Sequence, residues 1–119
     1  MGQVLGIVYR AIASHLIKAA GYQHETAQTG AVTLIQRFGS ALNLNIHFHM
    51  LFLDGVYEDT GGGLRFRRVP PPTVAAFEKL VHDISARVGR AVERQAQLRE
   101  QARTSQGITY IPCIARLFA

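Results

Sequence analysis

A strictly alternating run over residues 44–53 constrains the fold of this chain more than any other feature. Apolar residues occupy every second position of the run, and His47 and His49 stand between them. Successive side chains of a β-strand point to opposite faces of the sheet. The run therefore predicts a strand whose polar face carries Asn45 and both histidines. Its apolar face, directed at a core, comprises Leu44, Ile46, Phe48, Met50 and Phe52.

The two histidines would lie on one face with their Cα atoms about 6–7 Å apart, since a strand rises about 3.3 Å per residue. Converging rings at that spacing can share one metal ion, and Asn45 is placed to orient a ring as an outer partner. A merely exposed histidine pair is the alternative. Gln36 is the candidate third donor, or else a polar residue at the edge of the core. Asp54 and Glu58 are weaker candidates.

Several sites that contain His-x-His are excluded. A metallo-β-lactamase site needs Asp and His directly after the pair, where this chain has Met50 and Leu51. An amidohydrolase barrel needs a chain more than twice as long. Structural zinc needs four nitrogen or sulfur ligands, and Cys113 is distant. The remaining option is one divalent cation, Mg²⁺ or Mn²⁺ with zinc as a possible substitute, that polarises a phosphate.

Regular elements are predicted on both sides of the histidine strand. Residues 4–20 have the apolar spacing of a helix, and Gly21 suits the left-handed stop after it. Residues 31–38 predict a strand, and the short connection favours its antiparallel pairing with the histidine strand. Residues 54–63 indicate a turn region, and residues 64–69 a third strand of the same sheet.

A long helix is predicted after the proline run 70–72, with Thr73 as its N-cap. Asp83 and Arg87 are spaced to form an ion pair on it, and residues 105–107 are predicted to break it. An apolar stripe runs along this helix through Phe77, Val81, Ile84, Val88 and Ala91.

Length and charge bound the remaining possibilities. The chain has 119 residues, enough for one domain, and a formal net charge of +5 with eleven Arg against two Lys. This balance favours an anionic partner such as nucleic acid, although codon bias in a GC-rich genome is an alternative source of arginine. No apolar run approaches the roughly 20 residues of a membrane span, and a single cysteine fits the reducing cytoplasm. The candidate DNA contacts are Arg37, Arg65, Arg67, Arg68, Arg87, Arg90 and Arg94, for which solvated surface positions are the alternative.

The stretch TGAVTLIQRFGSALNLN at residues 29–45, followed by His47-Phe48-His49 and by LDGVY at residues 53–57, resembles the core of the two-tyrosine rolling-circle transposases of bacterial insertion sequences. These belong to the HUH endonucleases, named for their His-hydrophobic-His motif. The resemblance covers about residues 1–95. It implies a nuclease domain that binds single-stranded DNA at element ends, with His47 and His49 as metal ligands.

In that family a tyrosine attacks the phosphodiester and stays linked to the 5′ end. The family's two tyrosines lie one helical turn apart, and no two of Tyr9, Tyr22, Tyr57 and Tyr110 have that spacing. We therefore expect a truncated remnant, inactive alone, with no catalytic nucleophile of its own. A non-enzymatic DNA-binding or interaction module that regulates a full-length relative is the alternative.

The predicted architecture is α+β. An antiparallel sheet of about three strands carries the histidine pair, between an N-terminal helix and a long basic C-terminal helix, as a partial HUH nuclease domain over residues 1–95. Residues 96–119 form a tail outside the family pattern, predicted to be poorly ordered. An open edge of the sheet could permit self-association.

Overall fold

The computed structural model describes residues 2–38 and 45–108, and the side chains of residues 2–36 and 46–105 among them. The fold is α+β, as predicted, with antiparallel strands throughout these ranges. The elements in chain order are α1 (Gly2–Ala19), β1 (Ala27–Gln28), β2 (Ala31–Phe38), β3 (Asn45–Phe52), β4 (Gly55–Asp59), β5 (Leu64–Arg68) and α2 (Val74–Ile108).

The strands form two small antiparallel sheets that follow each other along one ribbon of paired chain. β2 pairs with β3, and a second sheet has the order β1-β4-β5. The two sheets are joined where Leu53 donates its amide to the carbonyl of Gly30 at 3.0 Å and Thr29 donates its hydroxyl to the carbonyl of Gly55 at 2.9 Å. The register moves by two residues across this junction, from Gln28 opposite Tyr57 to Ala31 opposite Phe52.

The prediction of one three-stranded sheet carrying the histidines is therefore wrong in its connections. β5 was predicted to extend the histidine sheet, but it pairs with β4, a strand that lies inside the predicted turn region 54–63. The physical reason is that residues 55–59 form a strand of their own, which pairs antiparallel with β5 and separates it from β3 along the chain. The histidines lie instead on a two-stranded hairpin, β2–β3.

The core lies where the end of α1 meets β1 and β4. Val56 is completely buried there, and Ile17 and Ala27 are almost completely buried beside it. α1 ends in a Schellman motif, since Tyr22 donates its amide to the Ile17 carbonyl at 3.0 Å and Gly21 (φ 84°) donates to the Lys18 carbonyl at 3.0 Å. The prediction that Gly21 ends α1 is confirmed, and the chain after Gly21 leads to β1.

α2 begins as predicted at Thr73, whose hydroxyl accepts the amide hydrogen of Ala76 at 3.2 Å. The helix then continues to Ile108, so the predicted break at residues 105–107 is wrong. One glycine costs a helix only about 1 kcal/mol relative to alanine, which is too little to require a break. Within the described residues no helix is both long and apolar enough to cross a membrane.

Candidate metal and DNA site

The hairpin brings three predicted site residues to one face. Gln36 lies directly opposite His47 in the β2–β3 register, and Leu34 lies opposite His49. Opposed residues of an antiparallel pair share a face. His47, His49 and Gln36 are therefore neighbours on the same side of the ribbon, and both histidines are exposed.

Gln36 reaches diagonally across the hairpin to His49. Its Oε1 lies 3.0 Å from Nε2 of His49. Two ligands bound at right angles to one cation at about 2.1 Å would be about 3.0 Å apart. The separation of these two donor atoms is that of an ordinary hydrogen bond, and it equals the separation of two adjacent ligands of one small cation. The sequence allowed Gln36 to be either a metal ligand or a residue at the edge of the core, and the structure places its side chain exposed on the histidine face.

The same contact defines what a cation would have to displace. With the amide oxygen as acceptor, His49 carries its ring proton on Nε2. Binding a cation through Nε2 needs that proton on Nδ1, so the hydrogen bond and the cation compete for one nitrogen. The mixed set of imidazole and amide donors is chemically compatible with Mn²⁺ and with other divalent ions.

The weaker candidate donors are engaged on the other sheet. Asp54 forms an ion pair with Arg68 at 2.7 Å, and Glu58 accepts hydrogen bonds from Tyr22 and Arg65. No group of three or more His, Cys, Asp or Glu residues could hold a metal ion in the described part of the chain. Among the described residues, a site here thus depends on His47, His49 and the Gln36 amide.

The rest of the histidine face is apolar and exposed, which the sequence reading did not anticipate. Leu51 is 71% exposed, Val32 opposite it 63% and Leu34 56%. The sequence did contain a signal of this apolar face, because Val32 and Leu34 alternate along β2 with the residues of the half-buried face.

The opposite face of the hairpin is the better covered one, as the alternation of β3 predicted. Ile46, Phe48 and Met50 are half-buried there. The Tyr9 ring of α1 stacks on Phe52 with centroids 5.7 Å apart, and its hydroxyl donates to the Thr29 carbonyl at 3.0 Å. Tyr9 thus has a structural role in fixing the hairpin to α1.

Each predicted DNA-contacting arginine of β5 already has a partner. Arg65 pairs with Glu58 at 3.3 Å and Arg68 with Asp54, as above. Arg67 lies over the Tyr22 ring, 5.5 Å from its centroid, and donates to its hydroxyl at 3.2 Å. The hydrogen bond from Tyr22, followed by that from Arg65, lowers the pKa of Glu58 below its ordinary value of 4.5. These contacts within the protein neutralise much of the positive charge on β5, whose arginines were the predicted DNA contacts.

The arginines of α2 are less engaged. Arg90 and Arg94 are exposed, and Arg87 lines a cleft between α1 and α2. The predicted Asp83–Arg87 ion pair is replaced by one between Lys79 and Asp83 at 2.9 Å, because Lys79 lies one turn earlier on the same side. The Lys79 hydrogen bond lowers the pKa of Asp83, and Arg87 adds a smaller effect through space. The side chains of two further predicted site residues, Arg37 and Asn45, lie outside the described residues.

Comparison with known protein families identifies the family of this chain. Residues 30–110 match a family described as "Putative transposase". The chain belongs to this transposase family. The match contains the whole hairpin, the β4–β5 pair and α2. Neither the curated proteins nor the solved structures gave a match.

Proposed function

We propose that this transposase-family chain binds single-stranded DNA at the ends of a mobile element, with a divalent cation, Mg²⁺ or Mn²⁺, held by His47, His49 and Gln36. The observation that carries the proposal is the 3.0 Å approach of Gln36 Oε1 to His49 Nε2 on the face shared with His47. The HUH identity of the site belongs to the proposal, and the family match supports it.

A cation at this position would supply Lewis-acid polarisation of a DNA phosphate. The protein's own part is to place the donors. β2 and β3 fix the Cα positions of Gln36 and His47 directly opposite each other, and the covered face behind them ties the hairpin to α1 through Tyr9. Exposed Arg90 and Arg94 offer charge for neighbouring phosphates.

DNA binding without covalent chemistry is the form of this function that the described residues favour. Tyr9 and Tyr22 donate their hydroxyls to the protein itself, and Tyr57 packs against Phe66 with ring centroids 5.1 Å apart. The fourth tyrosine of the chain, Tyr110, lies outside the described residues. Because no two of the four tyrosines have the spacing of the family's pair, we expect no covalent protein–DNA adduct when the chain alone is mixed with an end-derived hairpin DNA and Mn²⁺. An adduct that survives denaturing electrophoresis would contradict this expectation.

The test of the proposal is fluorescence anisotropy of a labelled single-stranded oligonucleotide titrated with the protein, with and without Mn²⁺. Mn²⁺ should tighten binding by the wild-type chain, and His47→Ala or His49→Ala should abolish that gain. His82→Ala is the matched control, because His82 is an exposed histidine on α2. An equal effect of Mn²⁺ on all four proteins would refute the assigned site.

A further inference from the structure

The apolar stripe of α2 is longer and more regular than packing against α1 requires. Starting at Val74, positions separated alternately by three and four residues continue along the helix to Ala102. Such 3-4 spacing has a period of 3.5 residues, and its persistence over several heptads is typical of a coiled coil. The positions of this seam are Val74, Phe77, Val81, Ile84, Val88, Ala91, Gln95, Leu98 and Ala102.

Much of the seam is exposed within one chain. Phe77 is 56% exposed, Val81 46% and Leu98 59%. α1 approaches α2 beside the seam, since the cleft between the two helices is lined by Ala76, Leu80 and other residues outside it.

α1 is too short to lie alongside the far, C-terminal half of α2. α2 has 35 residues and α1 has 18. At 1.5 Å per residue these are about 52 Å and 27 Å, so α1 can accompany only half of α2. Most of the stability of a helix in a protein comes from packing of its apolar face, and Leu98 continues the apolar seam into this half.

We infer that the seam pairs with a second copy of this chain, with the two α2 helices antiparallel. In the register that sets Val88 opposite Ala91 of the second copy, the exposed far half of each helix covers the exposed near half of the other. Phe77 then meets Ala102, so that the largest side chain of the seam opposes one of the smallest, and Val81 meets Leu98. Gln95 falls opposite Ile84, a polar position of the kind that fixes register at some cost in stability.

Charge on the flanks of the seam selects the antiparallel direction. In an antiparallel pair Glu78 lies beside Arg99 of the second copy, and this attraction occurs twice. In a parallel pair Arg94 would lie beside Arg99 of the second copy, a repulsion that also occurs twice. The antiparallel arrangement also brings Arg87 near Arg94 of the second copy twice, so its two attractions offset two repulsions. The parallel arrangement has two repulsions and no cation opposite Glu78 to offset them.

Cross-linking of the full chain tests the direction directly. In a Cys113→Ser background, Val81→Cys and Leu98→Cys are made as separate proteins and treated with a short bis-maleimide, alone and mixed. Antiparallel pairing predicts cross-links only in the mixture, because like positions would be about 25 Å apart, from seventeen residues at 1.5 Å each. Cross-links within either protein alone would overturn the antiparallel direction, and no cross-link in any sample would overturn the pairing.

Sedimentation velocity gives an independent measurement. The wild-type chain should sediment as a dimer, and Leu98→Glu should make it a monomer without unfolding it, because Leu98 is exposed in one chain. Gln97→Glu is the matched control one position off the seam, and it should remain a dimer. Glu78→Arg and Arg99→Glu should each weaken the dimer at least ten-fold, and their combination should restore it. A monomeric wild type, or equal dimerisation of the Leu98 and Gln97 variants, would refute the inference.

Discussion

Replacing Val56 by alanine tests the packing that positions the whole ribbon. Val56 lies on β4 at 0% exposure, in the cluster with Ile17, Ala20 and Val69. The substitution removes two methyl groups, each worth about 0.8 kcal/mol of burial, and leaves a cavity that raises the cost further. We expect a loss of about 2 kcal/mol in the free energy of unfolding, which corresponds to a fall in Tm of roughly 8 °C for a domain of this size.

The assay is thermal and urea unfolding followed by circular dichroism. Val32→Ala is the matched control, because it makes the same change on β2 at a side chain that is 63% exposed. It should cost less than about 0.5 kcal/mol, as surface changes usually do. Equal losses for the two variants would refute the position of the core beneath α1, and a loss only in the control would place the core on the histidine face.

Three further predictions concern the helix start, the Glu58 cluster and the basic face of α2. Thr73→Ala should cost about 1 kcal/mol in unfolding free energy by removing the cap on Ala76, and Thr73→Ser should retain most of it. Because folding lowers the pKa of Glu58, its contribution to stability is present above the ordinary value of 4.5 and is lost as the pH falls through the lower folded value. The stability difference between wild type and Glu58→Gln, measured by urea unfolding, should therefore vanish at low pH; a difference that grows on acidification would contradict this. Arg90→Gln should reduce the salt dependence of single-stranded DNA binding by about 0.7 in the slope of log K against log salt, whereas Arg103→Gln, whose arginine pairs with Glu100, should change it less.

Local patterns in the sequence predicted those elements whose cause is local. The alternation around His47 predicted β3 with its two faces, and Gly21 predicted the end of α1 through the need for a positive φ. Thr73 predicted the start of α2 in the same way, through a hydrogen bond to a residue three positions along the chain.

Elements that depend on residues distant in the sequence could not be predicted from local sequence patterns. β4 combines a buried valine with Glu58 and Asp59, a polar composition typical of a turn, and it forms because α1 covers Val56. The stripe through Phe77 and Val81 indicated a helix correctly, but periodicity alone cannot say which neighbour, if any, covers it.

The candidate site shows the same limit. Two histidines at alternate positions follow from the strand alone. The approach of Gln36 to His49 depends on the β2–β3 register, which places Ala31 opposite Phe52 and carries Gln36 to the histidine end. The engagement of Arg65 and Arg68 with carboxylates likewise follows from β4, the strand that was not predicted.

An NMR titration with Mn²⁺ tests the proposed cation site at His47, His49 and Gln36. The five histidine rings of the chain are observed together in it. A bound paramagnetic ion broadens the signals of nearby nuclei. If one Mn²⁺ binds at the hairpin, the ring signals of His47 and His49 and the side-chain amide signal of Gln36 broaden at low Mn²⁺ and saturate together. The ring signals of the other three histidines, His15, His24 and His82, remain sharp. Equal broadening of all five rings, or sharp signals from His47 and His49 at saturating Mn²⁺, would contradict the proposed site.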